Sequence, residues 1–235
     1  MNSDITPDAG VIFFMHKLAI VLANAEIEDP PLLRQRLAVL NTATVFAADG
    51  GSRHADLLGL RVGVLIGDHD SLDESLREQF AAEGVRFELH SPQKDETDLE
   101  LALLLAKNEG AQRIIVIGAT GGRMDMTLSN LLLLAHPDLI HLHIEIWDGG
   151  QTARIVRPPG GEVRGDAGDS LSLIALGNNA VGITTSHLAY PLANQTLHLG
   201  LARGVSNVLT ASKAEIKLRE GIILLVHTPA PETKK

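Results

Sequence analysis

Ile114-Ile115-Val116-Ile117-Gly118-Ala119-Thr120-Gly121-Gly122-Arg123-Met124-Asp125 decides the fold. Four branched apolar residues in succession, too few for a helix, read as a strand buried on both faces, the mark of a parallel sheet. A glycine-rich connection follows, and Leu128 to Ala135 then carries helical periodicity. Strand, glycine turn and helix in that order form half of a βαβ unit.

The same grammar extends upstream. Leu18 to Leu22, Val45 to Ala48, Val62 to Ile66, Val85 to Leu89 and Leu142 to Trp147 are further short apolar runs, and Leu99 to Ala106 is helical in pattern. After Pro158-Pro159-Gly160-Gly161 the pattern changes. Ser170 to Leu176, Val181 to Thr185, Thr196 to Leu201, Glu215 to Leu218 and Ile222 to Val226 read as short strands at roughly ten-residue spacing. The expected class is α/β, with a mostly parallel sheet in a nucleotide domain over 17–157 and a small all-β sandwich over 158–229. Residues 1–16 read as a leader and 230–235 as a disordered tail.

Composition narrows the function. A formal charge of −9, with no long run among the 20 basic residues, excludes a nucleic-acid partner held through clustered Lys and Arg. No stretch approaches the roughly 20 apolar residues of a membrane span, so a soluble protein is expected. The chain has no cysteine, which removes disulfides and thiolate metal sites and fits a cytoplasmic setting. An acidic protein that binds phosphate needs a divalent cation between the two.

In an open α/β sheet, ligands bind where the carboxyl ends of the strands meet. Val45 to Ala48 runs into Asp49-Gly50-Gly51, Val62 to Ile66 into Gly67-Asp68-His69-Asp70-Ser71, and Ile114 to Ile117 into the glycine run and Arg123. Asp68 and Asp70, two apart, project to one side of an extended segment and make a hard-oxygen site suited to magnesium. Ser71 and Glu74 have the spacing of a capping box, as do Thr97 and Glu100. Asp95 and Asp98, near one helix start, are candidates for metal or substrate. In the glycine loop, bare backbone N–H groups can approach phosphate and Arg123 adds a charged fork. The loop matches neither the Walker pattern nor the dinucleotide fingerprint. His54, His90, His136, His141 and His143 lack ligand spacing and read as surface or internally satisfied residues.

Taken in order, Ala48-Asp49-Gly50-Gly51, Ile66 to Leu72 (IGDHDSL), Lys94 to Leu103 (KDETDLELAL) and Gly118 to Asn130 (GATGGRMDMTLSN) resemble the thiamine pyrophosphokinase family, as do Tyr190-Pro191-Leu192 and Gly204-Val205-Ser206-Asn207. The resemblance implies a homodimer with sites between subunits that transfers diphosphate from ATP to the hydroxyl of thiamine and releases AMP. It implies Mg2+ on Asp68, Asp70 and Asp98, with Arg123 joining them in catalysis. It also implies ATP along Asp49, Gly50, Gly51, Thr97, Thr120, Gly121, Gly122, Arg123 and Asp125, and substrate contacts from Lys94, Ser206 and Asn207. Met126 stands where many members have His, and no aromatic residue follows Asn207 to stack on thiamine; Trp147 lies too early to replace it. Two rivals share parts of the pattern: a haloacid-dehalogenase-like phosphatase with Asp68 as nucleophile, and a non-catalytic nucleotide-binding module.

Overall fold

A computed structural model describes residues 17–40, 43–67, 74–91 and 93–231, with only the backbone described for 74–76. The first half alternates strands and helices: β1 (Leu18–Leu22), α1 (Pro30–Ala38), β2 (Ala43–Ala48), α2 (His54–Leu58), β3 (Val64–Gly67), α3 (Glu74–Ala82), β4 (Arg86–Leu89), α4 (Asp98–Asn108), β5 (Arg113–Ile117), α5 (Met124–Leu133) and β6 (His143–Asp148). The rest is strand: β7 (Gln151–Val156), β8 (Gly160–Arg164), β9 (Ser170–Ser186), β10 (Gln195–Leu197), β11 (Asn207–Val208), β12 (Lys213–Lys217) and β13 (Glu220–Thr228).

Strands β4-β3-β2-β1-β5-β6 lie side by side, each parallel to its neighbours. The sheet continues through β7-β13-β9-β12-β8 with every pair antiparallel. The whole sheet is therefore mixed, and the expected mostly parallel arrangement describes only its first half. Backbone hydrogen bonds between β7 and β13 carry it past the expected boundary at residue 157.

Alternation along β1 divides the packing. Leu18, Ile20 and Leu22 face Leu33 and Leu37 of α1 and Ala55 and Leu58 of α2. Ala19 and Val21 face Leu99, Ala102, Leu103 and Ala106 of α4. The latter four repeat at the i, i+3, i+4, i+7 spacing of one helix face, and burying a leucine such as Leu103 is worth roughly 1.5–3 kcal/mol. Thr97 caps α4, its Oγ1 accepting from the Glu100 N–H at 3.2 Å, as the capping spacing predicts. On the α1 side, Leu65 of β3 meets Phe80 of α3.

The strand-rich half has its own core, including Val156, Leu171, Leu173, Ile183, Ile216, Ile223 and Leu225. The sequence reading separated Ser170 to Leu176 from Val181 to Thr185, whereas one strand, β9, spans both. Gly177 and Gly182 take positive φ and bend the strand without reversing it. Its first part pairs with β13 and its end with β12. The strand expected over Thr196 to Leu201 stops at Leu197. At the start of the expected disordered tail, Ala230 donates its N–H to Asp169 Oδ1 at 2.9 Å.

Candidate active site

β1 is the point where the sheet divides, since β2, β3 and β4 follow on one side and β5 and β6 on the other. A crevice opens at the carboxyl ends of the strands flanking such a point. There a cleft of about 540 Å³ is lined by Ala23 to Glu26 after β1, Ala48, Asp49 and Arg53 after β2, Lys94 and Glu96 to Leu99 at the start of α4, and Gly118 to Arg123 after β5 without Thr120.

Asp49 sits in left-handed conformation (φ 51) and its Oδ2 accepts from Asn24 Nδ2 at 2.9 Å. Arg53 ties the same corner, donating to Asn24 O at 2.7 Å and Glu26 Oε1 at 3.1 Å. Gly51 is buried, and a Cβ there would run into the Leu22 carbonyl. Its missing side chain thus lets the turn pack on β1. At the α4 start, Lys94 Nζ donates to Asp98 Oδ1 at 2.6 Å, so a cation already faces the carboxylate expected to bear metal.

Gly118 needs φ 73, and a Cβ would lie 2.5 Å from Ala23 O. This close approach locks the glycine loop onto the end of β1. Beyond it, Arg123 forks onto Asp125 through Nε–Oδ1 (3.1 Å) and Nη2–Oδ2 (2.6 Å), both side chains exposed. That hydrogen-bonded pair raises the Arg123 pKa and lowers that of Asp125.

The structure brings together Asp49, Lys94, Thr97, Asp98, Gly121, Gly122 and Arg123 of the expected site. Thr120 turns elsewhere, its Oγ1 bonding Asp148 Oδ2 at 2.8 Å. Gly50, Gly51 and Asp125 do not line the cleft, although Gly50 follows Asp49 and Asp125 precedes Met126, which do. Asp68, Asp70 and Ser71 lie outside the described residues, directly after β3. No group of three His, Cys, Asp or Glu side chains able to hold a metal is found among the described residues.

Ser206 and Asn207 are in the strand-rich half and line no part of this chain's cleft. Asn207 is buried; its Oδ1 accepts from the Tyr190 and Val208 N–H groups and its Nδ2 donates to Tyr190 O at 2.7 Å. Its amide is a clamp between two loops. Ser206 holds φ 58 and donates its N–H to Ser172 Oγ at 3.1 Å.

Sequence reasoning missed Asn24, Glu26 and Arg53, and it did not single out Asn130. The signal for Asn24 was available, because it follows β1 as Asp49 follows β2. Asn130 is buried, donates to Ala119 O at 2.8 Å and leaves Oδ1 at the cleft wall without a partner among the described residues. Met126 also lines the cleft. His54 is buried with Nε2 on Ala25 O at 2.8 Å, but its Nδ1 has no partner among the described residues, so the expected satisfied histidine is only half satisfied; burial lowers its pKa.

Residues 36–147 match the family described as thiamin pyrophosphokinase, catalytic domain, and residues 160–223 match thiamin pyrophosphokinase, vitamin B1 binding domain. The thiamine pyrophosphokinase of Bacillus subtilis (strain 168) is 28% identical over 163 residues, 69% of this chain and 76% of that protein. Among solved structures, the thiamine pyrophosphokinase of Bacillus subtilis aligns with a TM-score of 0.77 at 23% identity, covering 92% of this chain and 100% of that one. That of Geobacillus thermodenitrificans gives 0.77 at 24%, covering 92% and 99%. The yeast enzyme gives 0.73 at 15%, covering 91% and 86%. The three share this chain's fold.

Proposed function

The chain belongs to the thiamin pyrophosphokinase family, and from that premise we propose that it transfers the diphosphate of ATP to the hydroxyl of thiamine in the cleft beside β1. One observation carries this reading. Four segments distant in sequence, after β1, β2 and β5 and at the start of α4, converge on one cleft with carboxylates, a lysine, two arginines and bare glycine backbone.

Such transfers need alignment and charge neutralisation more than a protein nucleophile. Gly122, at positive φ, offers its N–H to a phosphate oxygen, while the Gly121 N–H already donates to Thr127 Oγ1 at 3.1 Å and fixes the loop. Arg123 is held at the loop end by an exposed carboxylate, so a phosphate can take the fork from Asp125 at little cost. Lys94 adds a second cation. The thiamine oxygen forms a bond to the β-phosphorus as the bond from that phosphorus to the α-phosphate bridging oxygen breaks. AMP leaves with that oxygen, and a cleft carboxylate accepts the hydroxyl proton. The hard oxygen donors of Asp98 fit Mg2+, and Asp68 and Asp70, which lie outside the described residues, would supply donors of the same kind. Bound there, Mg2+ would neutralise phosphate charge.

In this reading residues 17–157 form the ATP-binding domain and 158–229 a thiamine-binding β-sandwich, with Ser206 and Asn207 serving the partner's cleft in a homodimer. Two uncovered apolar surfaces support the dimer. Met124, Leu128 and Leu132, spaced by four on α5, are exposed beside the cleft. Tyr190, Leu199, Leu201 and Val205 are exposed in the loops that precede Asn207. Placing the second patch of one chain on the first patch of its partner would carry Ser206 toward Arg123. No helix among the described residues is long and apolar enough to cross a membrane, and the cysteine-free sequence supports a cytoplasmic location.

The test is incubation with ATP, Mg2+ and thiamine followed by mass spectrometry. AMP and thiamine diphosphate are the expected products. Inorganic phosphate with a trapped aspartyl phosphate would instead select the phosphatase, and unreacted nucleotide the binding module.

A further inference from the structure

A second depression, a groove of about 1420 Å³, lies on the sheet face that carries α1 and is separate from the catalytic cleft. Its floor is β6, β7 and β13, with α1 on one side and β8 on the other. The register across the floor runs Ile115–Glu145–Arg154–Leu225–Leu173. Ile115 belongs to the core under α1, and Leu225 and Leu173 belong to the core of the strand-rich half. Between two apolar cores the chain therefore places a polar strip, with Thr152 and His227 in the neighbouring row.

Four arginines line this groove of a chain whose net charge is −9: Arg36, Arg113, Arg154 and Arg164. Arg113 pairs with Glu145 and Arg164 with Glu162. Arg36 and Arg154 have no carboxylate partner among the described residues. Arg36 lies 4.0 Å from the Trp147 ring centre and donates to Gly149 O at 2.6 Å and Thr152 Oγ1 at 2.8 Å. Arg154 donates to Glu162 O. Burial lowers the pKa of both, and Glu145 provides the opposing attraction in each case. Glu145 is itself occupied by His143, Arg113 and Trp147. The Nε of Arg113 is buried without an acceptor among the described residues.

We propose that this groove is a second anion site, built for the diphosphate group, with Arg36 and Arg154 as its two poles. Thr152, which holds Arg36, and Arg154 are two residues apart on β7, a separation of roughly 7 Å. Two partly buried guanidinium groups, one held by Thr152 and the other rooted two residues along the same strand, each hydrogen-bonded only to neutral acceptors and sharing one already occupied carboxylate, suit a compact ligand with two anionic ends. A single phosphate would reach one pole. Arg36 is already oriented by the Trp147 ring and its carbonyl contacts, so little ordering is required on binding.

The test is equilibrium binding by calorimetry in chelator, where the catalytic cleft has no cation to offset its carboxylates. Inorganic diphosphate and an alkyl diphosphate are titrated separately into the full chain. Binding of both assigns the site to a diphosphate head group, and binding of the inorganic ion alone assigns it to the free ion. In Arg36→Gln and Arg154→Gln the affinity falls by roughly tenfold or more, the loss of a charge-assisted hydrogen bond. In Arg123→Gln it stays unchanged. If Arg154→Gln does not fold, Arg154→Lys keeps the charge but removes the fork and still weakens binding. No binding by the wild type, wild-type affinity in folded Arg36 and Arg154 variants, or loss confined to Arg123→Gln would overturn the assignment. This outcome is independent of catalysis, because no turnover is measured.

Discussion

Replacing Glu145 by glutamine should change how stability depends on pH. Glu145 lies on β6 with its side chain 13% exposed. Burial opposes its ionisation, but hydrogen bonds from His143 and Arg113 and the charge of Arg113 outweigh it and bring the carboxyl from an ordinary 4.5 down to about 2. At about 1.36 kcal/mol per pH unit, a depression of that size stabilises the folded state by about 3 kcal/mol. Because the folded value is the lower one, the contribution is fully present above pH 4.5 and is lost as pH falls through about 2. Glu145→Gln removes the charge at every pH. The stability gap between wild type and variant, measured by urea denaturation followed by circular dichroism, should be about 3 kcal/mol at pH 7 and under about 1 kcal/mol at pH 2.5. A gap that is the same at both pH values would refute the linkage and reduce Glu145 to a packing residue.

Gly118→Ala should cost about 1–3 kcal/mol in thermal or chemical denaturation, since alanine must hold positive φ against the Ala23 carbonyl; an unchanged midpoint would deny that close approach. Arg123→Lys should lower kcat/KM by about tenfold or more despite keeping its charge, because an ammonium cannot fork onto phosphate oxygens; wild-type kinetics would leave Arg123 as a surface partner of Asp125. Asp68→Asn or Asp70→Asn should nearly abolish turnover in a folded protein, as should excess chelator, and full activity in either case would remove the metal role. Leu128→Glu should shift the sedimentation of the protein toward monomer, and mixing Asp68→Asn chains with Ser206→Ala, Asn207→Ala chains should restore activity if the site is shared. Verified mixed dimers that stay inactive would end the shared-site reading.

The parallel strands were legible because burial on both faces leaves continuous apolar runs; Leu18 to Leu22 reads as β1 residue for residue. α4 was equally plain, since its cap and its apolar stripe agree. What escaped reading has a common cause. β7 alternates Thr152 and Arg154 with Ala153 and Ile155, and its polar face lines an open groove, so no apolar run marks it. α1 buries only Leu33 and Leu37 and is announced mainly by Asp29, which caps it, and by the prolines that open it. β9 was divided because Gly177 and two asparagines resemble a turn, and local composition cannot distinguish a bulge from a reversal. At the site, Asp49 and the glycine loop were found by their position after β2 and β5, Asn24 after β1 was missed, and Thr120 and Asn207 satisfy their polar groups through contacts with Asp148 and Tyr190, distant in the chain.

The most direct test of the proposed chemistry follows the label from ATP carrying 32P at the γ position, with thiamine as acceptor and Mg2+ present. Transfer of an intact diphosphate predicts that the label appears in thiamine diphosphate and that AMP accumulates one for one with it. Label released as inorganic phosphate, or carried into thiamine monophosphate with ADP as the co-product, would contradict the account.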